Sequence, residues 1–373
     1  MEMAAGARLT IDLRALRANW RMLAEKSAPA RTAGVVKANG YGLGLENVVP
    51  ALHAEGCRDF FVALASEGVE ARRLAPDARI FVLNGYFAGS ASLYADAGLI
   101  PVIGSRTGIE AWHHERGDET APFALHVDTG MNRIGMTPRE AIAYANEMRS
   151  GGVPRPCLVL THIACGDSPE SPRNGQQRES FQTVRTAFEG VESSLANSAG
   201  IFLGPDFHCD LTRPGIAIYG GQAVNGLANP MRPVVTLEAR ICAIRHVTAG
   251  AAVSYGATHV LRRDTKIATC AVGYADGYPR SVSGSGVALR DAIAQGACGF
   301  AAGRRVPLIG RVTMDLVMFD ITDCEAGALQ EGDFIELFGP NIPIDEVARS
   351  AGTIGYELLT GLSRRYHRLI VKD

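Results

Sequence analysis

The alternation of short apolar runs with amphipathic segments over residues 8–230 constrains the fold most strongly. Helix-like patterns such as SEGVEARRLA (66–75) and RESFQTVRTAFEGVESS (178–194) separate the runs. The apolar runs are 32–38, 60–65, 79–84, 99–104, 122–128, 157–163, 195–199 and 207–211, of which the last two are the weakest. Strands that are buried on both faces and joined by crossover helices form a parallel sheet. Eight such units in about 220 residues favour a TIM-like (β/α)8 barrel over a six-stranded open sheet.

The sequence changes in character after about residue 231. The following segments are rich in β-branched residues and are separated by Gly, Asp and Asn turns: 234–247, 265–274, 306–321 and 333–339. This pattern predicts a mostly antiparallel β domain, closed by a helix near IDEVARSAG. Two prolines in ANPMRPV (228–234) mark the boundary. We therefore predict an α/β protein with a (β/α)8 barrel over residues 1–232 and a mostly β domain over residues 233–373.

Composition excludes several classes of protein. The chain of 373 residues has 20% charged residues and a formal net charge of -2, so no basic surface for nucleic acid or an anionic membrane is indicated. No apolar run approaches the roughly 18–20 residues of a spanning helix, and the N-terminus does not resemble a signal peptide. The eight cysteines are scattered without a CxxC pair, which favours reduced thiols. We expect a cytoplasmic globular protein that binds neither nucleic acid nor membrane.

Polar residues follow the predicted barrel strands. Lys37 ends the first apolar run, His162 ends the sixth and Arg213 follows the eighth. Other polar residues follow the fifth and seventh runs: Asp128, Arg133, Asn197 and Ser198. In a barrel the carboxyl ends of all strands open on one face, and that face carries the active site. We therefore expect these side chains to converge.

Lys37 lies in TAGVVKANGYGLG, between a buried strand and a glycine-rich turn. An amine at a partly apolar strand end loses its proton more readily and can act as a nucleophile or form an imine. The backbone N–H groups of Gly215 and Ile216 follow the last strand, where barrels commonly bind phosphate. An imine-forming lysine beside a phosphate site predicts pyridoxal 5'-phosphate as the cofactor, whose ring stabilises carbanions. We predict no metal site.

Eight motifs then make the chain similar to a known family. In chain order they are VVKANGYGLG (35–44), HVDTGMNRIG (126–135), THIACGD (161–167), ANSAG (196–200), RPGIAIYG (213–220), VSYGATH (253–259), VGYADGYPR (272–280) and GRVTMDLVMFDI (310–321). Their order and spacing resemble those of the alanine racemases, which are pyridoxal-phosphate enzymes built from a barrel and a β domain. The resemblance extends from near residue 8 to the C-terminus.

The resemblance implies an isomerase that interconverts L-alanine and D-alanine with two bases. Lys37 would hold the cofactor covalently and take the proton from D-alanine, and Tyr255 would take it from L-alanine on the opposite face. Both groups ordinarily titrate near pH 10, so both need a lowered pKa to act as bases. In this family the tyrosine comes from the partner subunit, which implies a homodimer with shared sites.

The resemblance also implies roles for the other site residues. The cofactor pocket would comprise Tyr41, His162, Asn197, Ser198, Arg213, Gly215 and Ile216. In it Arg213 would face the pyridine nitrogen, His162 would pack against the ring, and Tyr41 and Ser198 would help to hold the phosphate. Arg133 would contact the phenolic oxygen and the substrate carboxylate.

Three residues of the β domain would complete the substrate site. The backbone N–H of Met314 would contact the substrate carboxylate, and Asp315 would lie at the entrance. Tyr274 would narrow the channel to favour a methyl side chain.

Two positions depart from the family pattern. His126 stands where many members have a carbamylated lysine that orients the arginine equivalent to Arg133. That role is lost, transferred to His126, or filled by an anion or water. Near the C-terminus, either Arg364 or Tyr366 occupies the position of a tyrosine that contacts the phosphate and gates entry.

Three alternatives remain open from the sequence. The first is a racemase of another small amino acid such as serine, or one of broad specificity. The second is a basic amino-acid decarboxylase, which lacks the VSYGA pattern and typically has a carboxylate at the position of Arg213. The third is a non-catalytic cofactor-binding protein with a single barrel, which would have neither the β domain nor Tyr255. An alanine racemase would supply D-alanine for peptidoglycan or act in alanine catabolism.

Overall fold

The computed structural model describes residues 5–372, which form two compact units. A barrel unit comprises residues 16–218 and 222–231, and a β unit comprises residues 5–15, 219–221 and 232–372. None of the helices in the described range is long and apolar enough to cross a membrane.

The first strand, β1 (Ala7–Asp12), lies in the β unit, whereas the sequence predicted that residues 1–232 form the barrel. It pairs antiparallel with the strand that contains Val235 and parallel with the last strand of the chain. Its side chains alternate between buried and partly exposed. This alternation is typical of a strand with one solvated face and differs from the continuous burial of the barrel strands.

The barrel strands are parallel and follow one another in chain order. They are β2 (Arg31–Thr32), β3 (Gly34–Val35), β4 (Asp59–Val62), β5 (Arg79–Val82), β6 (Leu99–Ile103), β7 (Ala124–His126), β8 (Leu158–Leu160), β9 (Glu192–Ser194) and β10 (Leu211–Thr212). A helix, Leu13–Ser27, precedes β2, and the helices between the strands are Leu45–Ala54, Ala65–Leu74, Ala91–Ala97, Arg106–Arg116, Pro138–Arg149, Pro172–Ala187 and Ser198–Phe202.

Hydrogen bonds on both sides of β10 close the sheet. Strands β3 to β9 pair in sequence order, and β10 pairs with β2. The backbone N–H of Arg213 donates to Ala196 O (2.9 Å), and that of Val35 donates to Pro214 O (3.0 Å). Strands β2 and β3 occupy one position of the sheet, so the described residues give eight strand positions. This closed parallel arrangement confirms the predicted barrel.

The seventh and eighth strands are displaced from their predicted positions. The seventh strand is formed by Glu192–Ser194 and precedes the apolar run 195–199. Its Ser193 and Ser194 are buried, and their hydroxyl groups donate to the Asp210 carboxylate and to Leu211 O. A strand whose polar groups are satisfied by its neighbour has no apolar signature in the sequence.

The β unit is built around β11 (Val235–Val247), which pairs with several other strands. The remaining strands are β12 (Ala252–Val253), β13 (His259–Val260), β14 (Thr265–Cys270), β15 (Cys298–Ala301), β16 (Arg304–Ile309), β17 (Val317–Asp320), β18 (Phe334–Phe338) and β19 (His367–Val371). The first half of β11 pairs with β18 and its second half with β14, so β14, β17, β16, β15, β18 and β11 form a closed ring. Its helices are Leu289–Ala292, Ile344–Ala351 and Gly355–Thr360.

The first residues of four barrel strands form a ring of ion pairs. The Asp59 carboxylate accepts from Arg79 Nε (2.6 Å) and Arg31 Nε (3.2 Å), and Glu192 accepts from both arginines. The Asp59 side chain is buried, whereas both arginines are partly exposed. Because these residues begin β2, β4, β5 and β9, the ring lies at the amino ends of the strands, where residues serve stability.

We predict that Asp59→Ala lowers the free energy of unfolding by about 2 kcal/mol, because it removes a buried carboxylate that accepts charge-assisted hydrogen bonds from two arginines. Denaturant unfolding followed by circular dichroism measures the change. The control is Asp77→Ala, which removes a carboxylate that pairs with His53 and Arg58 at the surface. Its effect should be much smaller. Equal destabilisation by the two substitutions would contradict a structural role for the ring.

Candidate active site

The polar residues predicted at the strand ends lie at the carboxyl ends of the barrel strands. Lys37 follows β3, His162 follows β8 and Arg213 follows β10. The ends of β7 and β9 carry the others: His126, Arg133, Asn197 and Ser198. Asn197 and Arg213 are bridged in parallel, and the Asn197 amide lies 3.5 Å from His162 Nε2. The structure therefore brings these groups to one face of the barrel.

The Lys37 amine lies in a partly buried and cationic environment. Burial lowers its pKa from the usual lysine value, and the positive charge of Arg133 lowers it further. The Glu67 carboxylate acts in the opposite direction on this pKa. A larger fraction of neutral amine makes Lys37 a better nucleophile than a solvated lysine.

A left-handed turn follows Lys37. Ala38, Asn39, Gly40 and Tyr41 all have φ between 53° and 63°. Such a run is unusual for residues other than glycine because the Cβ atom then lies close to the following carbonyl oxygen. The turn places the Tyr41 ring in the interior, where it is 5% exposed. The glycine-rich segment is therefore a fixed turn with a buried aromatic side chain.

The guanidinium group of Arg213 is buried and held in place by its neighbours. It donates through Nη2 to Thr161 O (2.6 Å) and through Nη1 to the Ser194 hydroxyl. Burial lowers the pKa of Arg213 to about 10, so the group remains a cation at neutral pH.

Hydroxyl groups surround the backbone that follows β10. The Ser198 oxygen accepts from the N–H groups of Gly215 (2.8 Å) and Ala217 (3.3 Å), which leaves its own hydrogen to donate. A Cβ atom at position 215 would collide with the Tyr41 hydroxyl, so glycine permits the two to lie this close. Ile216 is buried beside them. The structure thus gathers Tyr41, Ser198 and Gly215.

Two imidazoles adjoin these cations, of which His126 is buried and His162 is partly buried. Burial lowers the pKa of His162 to about 3, and the nearby charges of Arg213 and Arg133 contribute. Burial and the same two arginines lower the pKa of His126 to about 4. Both rings are therefore neutral near pH 7. Among the described residues, His126 Nδ1 has no hydrogen-bond partner. The resemblance implies an anionic carbamate at this position, whereas the ring found there is neutral.

The loop that carries Arg133 is ordered by Asp128. The Asp128 carboxylate accepts from the N–H groups of Gly130 (2.9 Å), Met131 (2.9 Å) and Arg133 (3.0 Å). These bonds fix the backbone of Arg133 while its side chain remains in the exposed part of the site.

Of the four predicted site residues of the β unit, Tyr255 and Tyr274 each begin a short 3-10 helix, whereas Met314 and Asp315 lie in a bend. The N–H of Tyr274 donates to Thr313 O (3.0 Å), which places Tyr274 beside the turn of Met314. Asp315 accepts from Arg365 Nη2 (2.8 Å). Tyr255 is 73% exposed.

Tyr255 lines a shallow apolar hollow of the β unit. The hollow is formed by Val253, Ser254, Tyr255, Gly256, Thr313, Leu316 and Met318. Ser254, immediately before Tyr255, has φ +68°. Positive φ at a serine is uncommon and marks a backbone that its surroundings fix.

The two C-terminal candidates differ in exposure. Tyr366 is 5% exposed, whereas Arg364 lies at the surface. Arg365, between them, also pairs with the buried Asp276 (3.1 Å). A tyrosine packed in the interior of the β unit is unsuited to gating, whereas Arg364 is accessible.

Sequence reasoning missed the residues that hold the site residues in place. Thr161 and Ser194 bind Arg213, and Glu67 contacts the turn after Lys37. The Glu67 carboxylate accepts from the N–H of Leu64 at the start of its helix, but leucine has no side-chain acceptor, so the sequence shows no capping-box pattern here. Thr161 acts through its backbone and Ser194 lies in an unrecognised strand, so neither gave a signal. Across residues 5–372, no group of three His, Cys, Asp or Glu residues is arranged to hold a metal ion.

Fold and site together define a two-domain barrel protein with an amine and two guanidinium groups at its strand ends. Two family models match the chain: "Alanine racemase, N-terminal domain" over residues 11–223 and "Alanine racemase, C-terminal domain" over residues 234–370. The chain belongs to the alanine racemase family. The family and the fold class predicted from the sequence are confirmed.

Individual relatives match over nearly their whole length. A Rhizobium meliloti protein named alanine racemase is 54% identical over 99% of this chain and 98% of its own. A biosynthetic alanine racemase of Agrobacterium fabrum is 55% identical over 98% of this chain and 93% of its own. The crystal structure of the Bartonella henselae alanine racemase with covalently bound pyridoxal phosphate is 36% identical, with a TM-score of 0.89 and coverage of 98% and 99%.

The buried imidazole of His126 predicts that the free energy of unfolding falls in acid. The pKa of His126 is about 4 in the folded chain and near 6.5 when solvated, so the unfolded state binds more protons between these values. This difference alone removes roughly 2 kcal/mol of unfolding free energy between about pH 7 and pH 5. In His126→Gln, urea unfolding at both pH values should show a correspondingly smaller pH dependence, with His114→Gln, which alters an exposed histidine, as the control. An unchanged pH dependence in His126→Gln would contradict burial of a neutral ring.

Proposed function

We propose that this chain interconverts L-alanine and D-alanine and uses pyridoxal 5'-phosphate to do so. The observation that carries the proposal is the Lys37 amine, with its lowered pKa, on the same strand-end face as the buried Arg213. An accessible neutral amine can bind a carbonyl carbon, and a buried cation can bind a pyridine nitrogen.

The chemistry of the residues fits this cofactor. The Ser198 and Tyr41 hydroxyl groups beside Gly215 form a narrow donor cradle that a Cβ atom would fill, as a phosphate site requires. We infer that Tyr41, Ser198, Gly215 and Ile216 hold the phosphate and that His162 and Asn197 adjoin the ring. The Bartonella henselae relative contains this cofactor in covalent form.

When bound, pyridoxal phosphate supplies an electron sink for the pair left at the substrate Cα atom. Lys37 Nζ would take the Cα proton of D-alanine, and Tyr255 Oη would take that of L-alanine from the opposite face. Arg213 carries a positive charge of its own, so it would donate a hydrogen bond to the pyridine nitrogen without protonating it. The cofactor would then be a weaker electron sink, which would favour return of the proton over side reactions.

Three residues would determine which substrate is bound. Arg133 and the backbone N–H of Met314 would bind the substrate carboxylate, because a guanidinium and an amide are its usual partners. Tyr274 would limit the side chain to about the size of a methyl group, with Asp315 at the entrance. Serine adds one hydroxyl group, which a pocket of this kind rejects only weakly. A broader specificity is therefore the alternative that assays must measure.

We further propose a homodimer in which Tyr255 serves the partner subunit's Lys37. Tyr255, Met314 and Leu316 are exposed apolar side chains of the β unit, and Tyr255 is the most exposed of them. Apolar patches of this kind favour protein contacts. A cytoplasmic location and a role in peptidoglycan synthesis or in alanine catabolism are consistent with this activity.

Lys37→Ala should abolish the near-visible absorbance band of the lysine-bound cofactor, because no other residue of the proposed site carries an amine. The purified protein is mixed with pyridoxal phosphate, and its spectrum and the circular dichroism of L-alanine and L-serine solutions are followed. Lys26→Ala, which removes an exposed lysine, should retain the band and the activity. A persistent band in Lys37→Ala would contradict the anchor.

Tyr255→Phe should retain the band but lower racemisation by about 100-fold or more, since it removes one acid–base group. The two enantiomers are equally stable, so net racemisation falls in both directions. Exchange of the Cα hydrogen in D2O distinguishes the base on one face of the substrate from the base on the other. D-alanine should still exchange through Lys37, and L-alanine should not. Tyr356→Phe alters a partly exposed tyrosine elsewhere in the β unit and is the matched control. Undiminished exchange of L-alanine in Tyr255→Phe would overturn the two-base assignment.

A further inference from the structure

Glu67 connects the segment that carries Lys37 to the neighbouring strand. Its Oε2 atom accepts from the N–H groups of Ala63 (2.9 Å) and Leu64 (3.2 Å), at the start of the helix Ala65–Leu74 that follows β4. Its Oε1 atom accepts from the N–H of Asn39 (3.3 Å), two residues after Lys37. One carboxylate thus joins the end of β4 to the left-handed turn.

The turn requires such support because its conformation is unfavourable. Ala38 and Asn39 have φ of 54° and 53°, and each left-handed residue with a Cβ atom is disfavoured. Both residues are exposed, so packing does not hold them. The Asn39 side chain contributes by accepting from the N–H of Leu45 (2.9 Å). Hydrogen bonds at Asn39 therefore oppose relaxation of the turn.

The same carboxylate is the anion that acts on the Lys37 amine. The other ionisable groups facing Lys37 are Arg133, whose charge lowers the lysine pKa, and His162, which is neutral. Glu67 alone among the groups acting on this amine stabilises its protonated form.

We propose that Glu67 is a positioning residue: its carboxylate holds the left-handed turn between Lys37 and Tyr41 and sets the negative charge beside the Lys37 amine. Through the turn, Glu67 fixes the position of Lys37, which would anchor the cofactor, relative to Tyr41, which would contact the phosphate. This inference rests on the proposed function, because it requires Lys37 and Tyr41 to bind the same cofactor.

A spectroscopic titration tests the charge. Holoenzyme is titrated with base while the absorbance of the lysine-bound cofactor is followed, in wild type, Glu67→Gln and Glu70→Gln. Glu70 lies one turn further along the same helix and is the matched control. Removal of the Glu67 charge should lower the apparent pKa of the linkage by about 0.5 pH unit or more, because the protonated nitrogen loses its anion. Glu70→Gln should leave it unchanged.

The direction of this shift separates a specific role from a merely structural one. A turn that only loosened would admit water to Lys37 and raise its pKa, since burial is the main cause of the lowered value. An apparent pKa that rises or stays constant in Glu67→Gln overturns the proposed charge role. Absence of any cofactor band in wild type overturns the proposed function itself, and the two failures are therefore distinguishable.

A second pair of substitutions tests the tether through cofactor affinity. Glu67→Ala should weaken binding of pyridoxal phosphate by about tenfold, because the turn then populates its binding conformation only in part. Adding Ala38→Gly should recover about fivefold of this loss, because glycine adopts positive φ without strain. In wild type, where the turn is already formed, Ala38→Gly should change affinity less than about twofold. Equal effects of Ala38→Gly in both backgrounds would overturn the tether.

Discussion

The hydrogen bonds that close the barrel determine the arrangement of the candidate site. Strand β10 bonds on one side to the segment that leads to Lys37 and on the other to the segment that leads to Asn197. This closure brings residues almost 180 positions apart in sequence to adjacent positions: Val35 donates to Pro214, directly before Gly215. The Lys37 amine, the Arg213 guanidinium and the hydroxyl groups beside Gly215 therefore share one rigid frame, as precise sites require.

Electrostatics within this frame favour anionic ligands. Arg133, Arg213 and the protonated fraction of Lys37 supply positive charge, and the two imidazoles remain neutral because burial and the arginines lower their pKa values. Neutral rings limit the repulsion that a cluster of five cations would create. A phosphate and a carboxylate are suitable partners for such a site. A neutral His126 ring adds no charge near Arg133.

Apolar patterning was sufficient to predict the barrel, because strands buried on both faces must be apolar. Apolar patterning failed for strands whose place in a sheet does not depend on a continuous run of apolar side chains. The strand Glu192–Ser194 satisfies its hydroxyl groups through its neighbour, and β1 joins the β unit through pairing with residues more than 220 positions away. Among site residues, those with distinctive chemistry were predicted from the sequence, such as Lys37 and Arg213. The left-handed turn and its Glu67 contact depend on local backbone geometry, for which the sequence offered only a glycine-rich segment.

The position of β1 has a consequence for how the chain acquires its structure during synthesis. Its partners β11 and β19 are translated at the middle and at the end of the chain, so β1 leaves the ribosome long before either exists. The barrel segment lies between β1 and β11 in the chain, so it is translated completely before β11 appears. Domains generally fold as units in order of synthesis, and distant pairings form slowly. The β unit is thus completed last, and until then an unpaired first strand must be kept from aggregating.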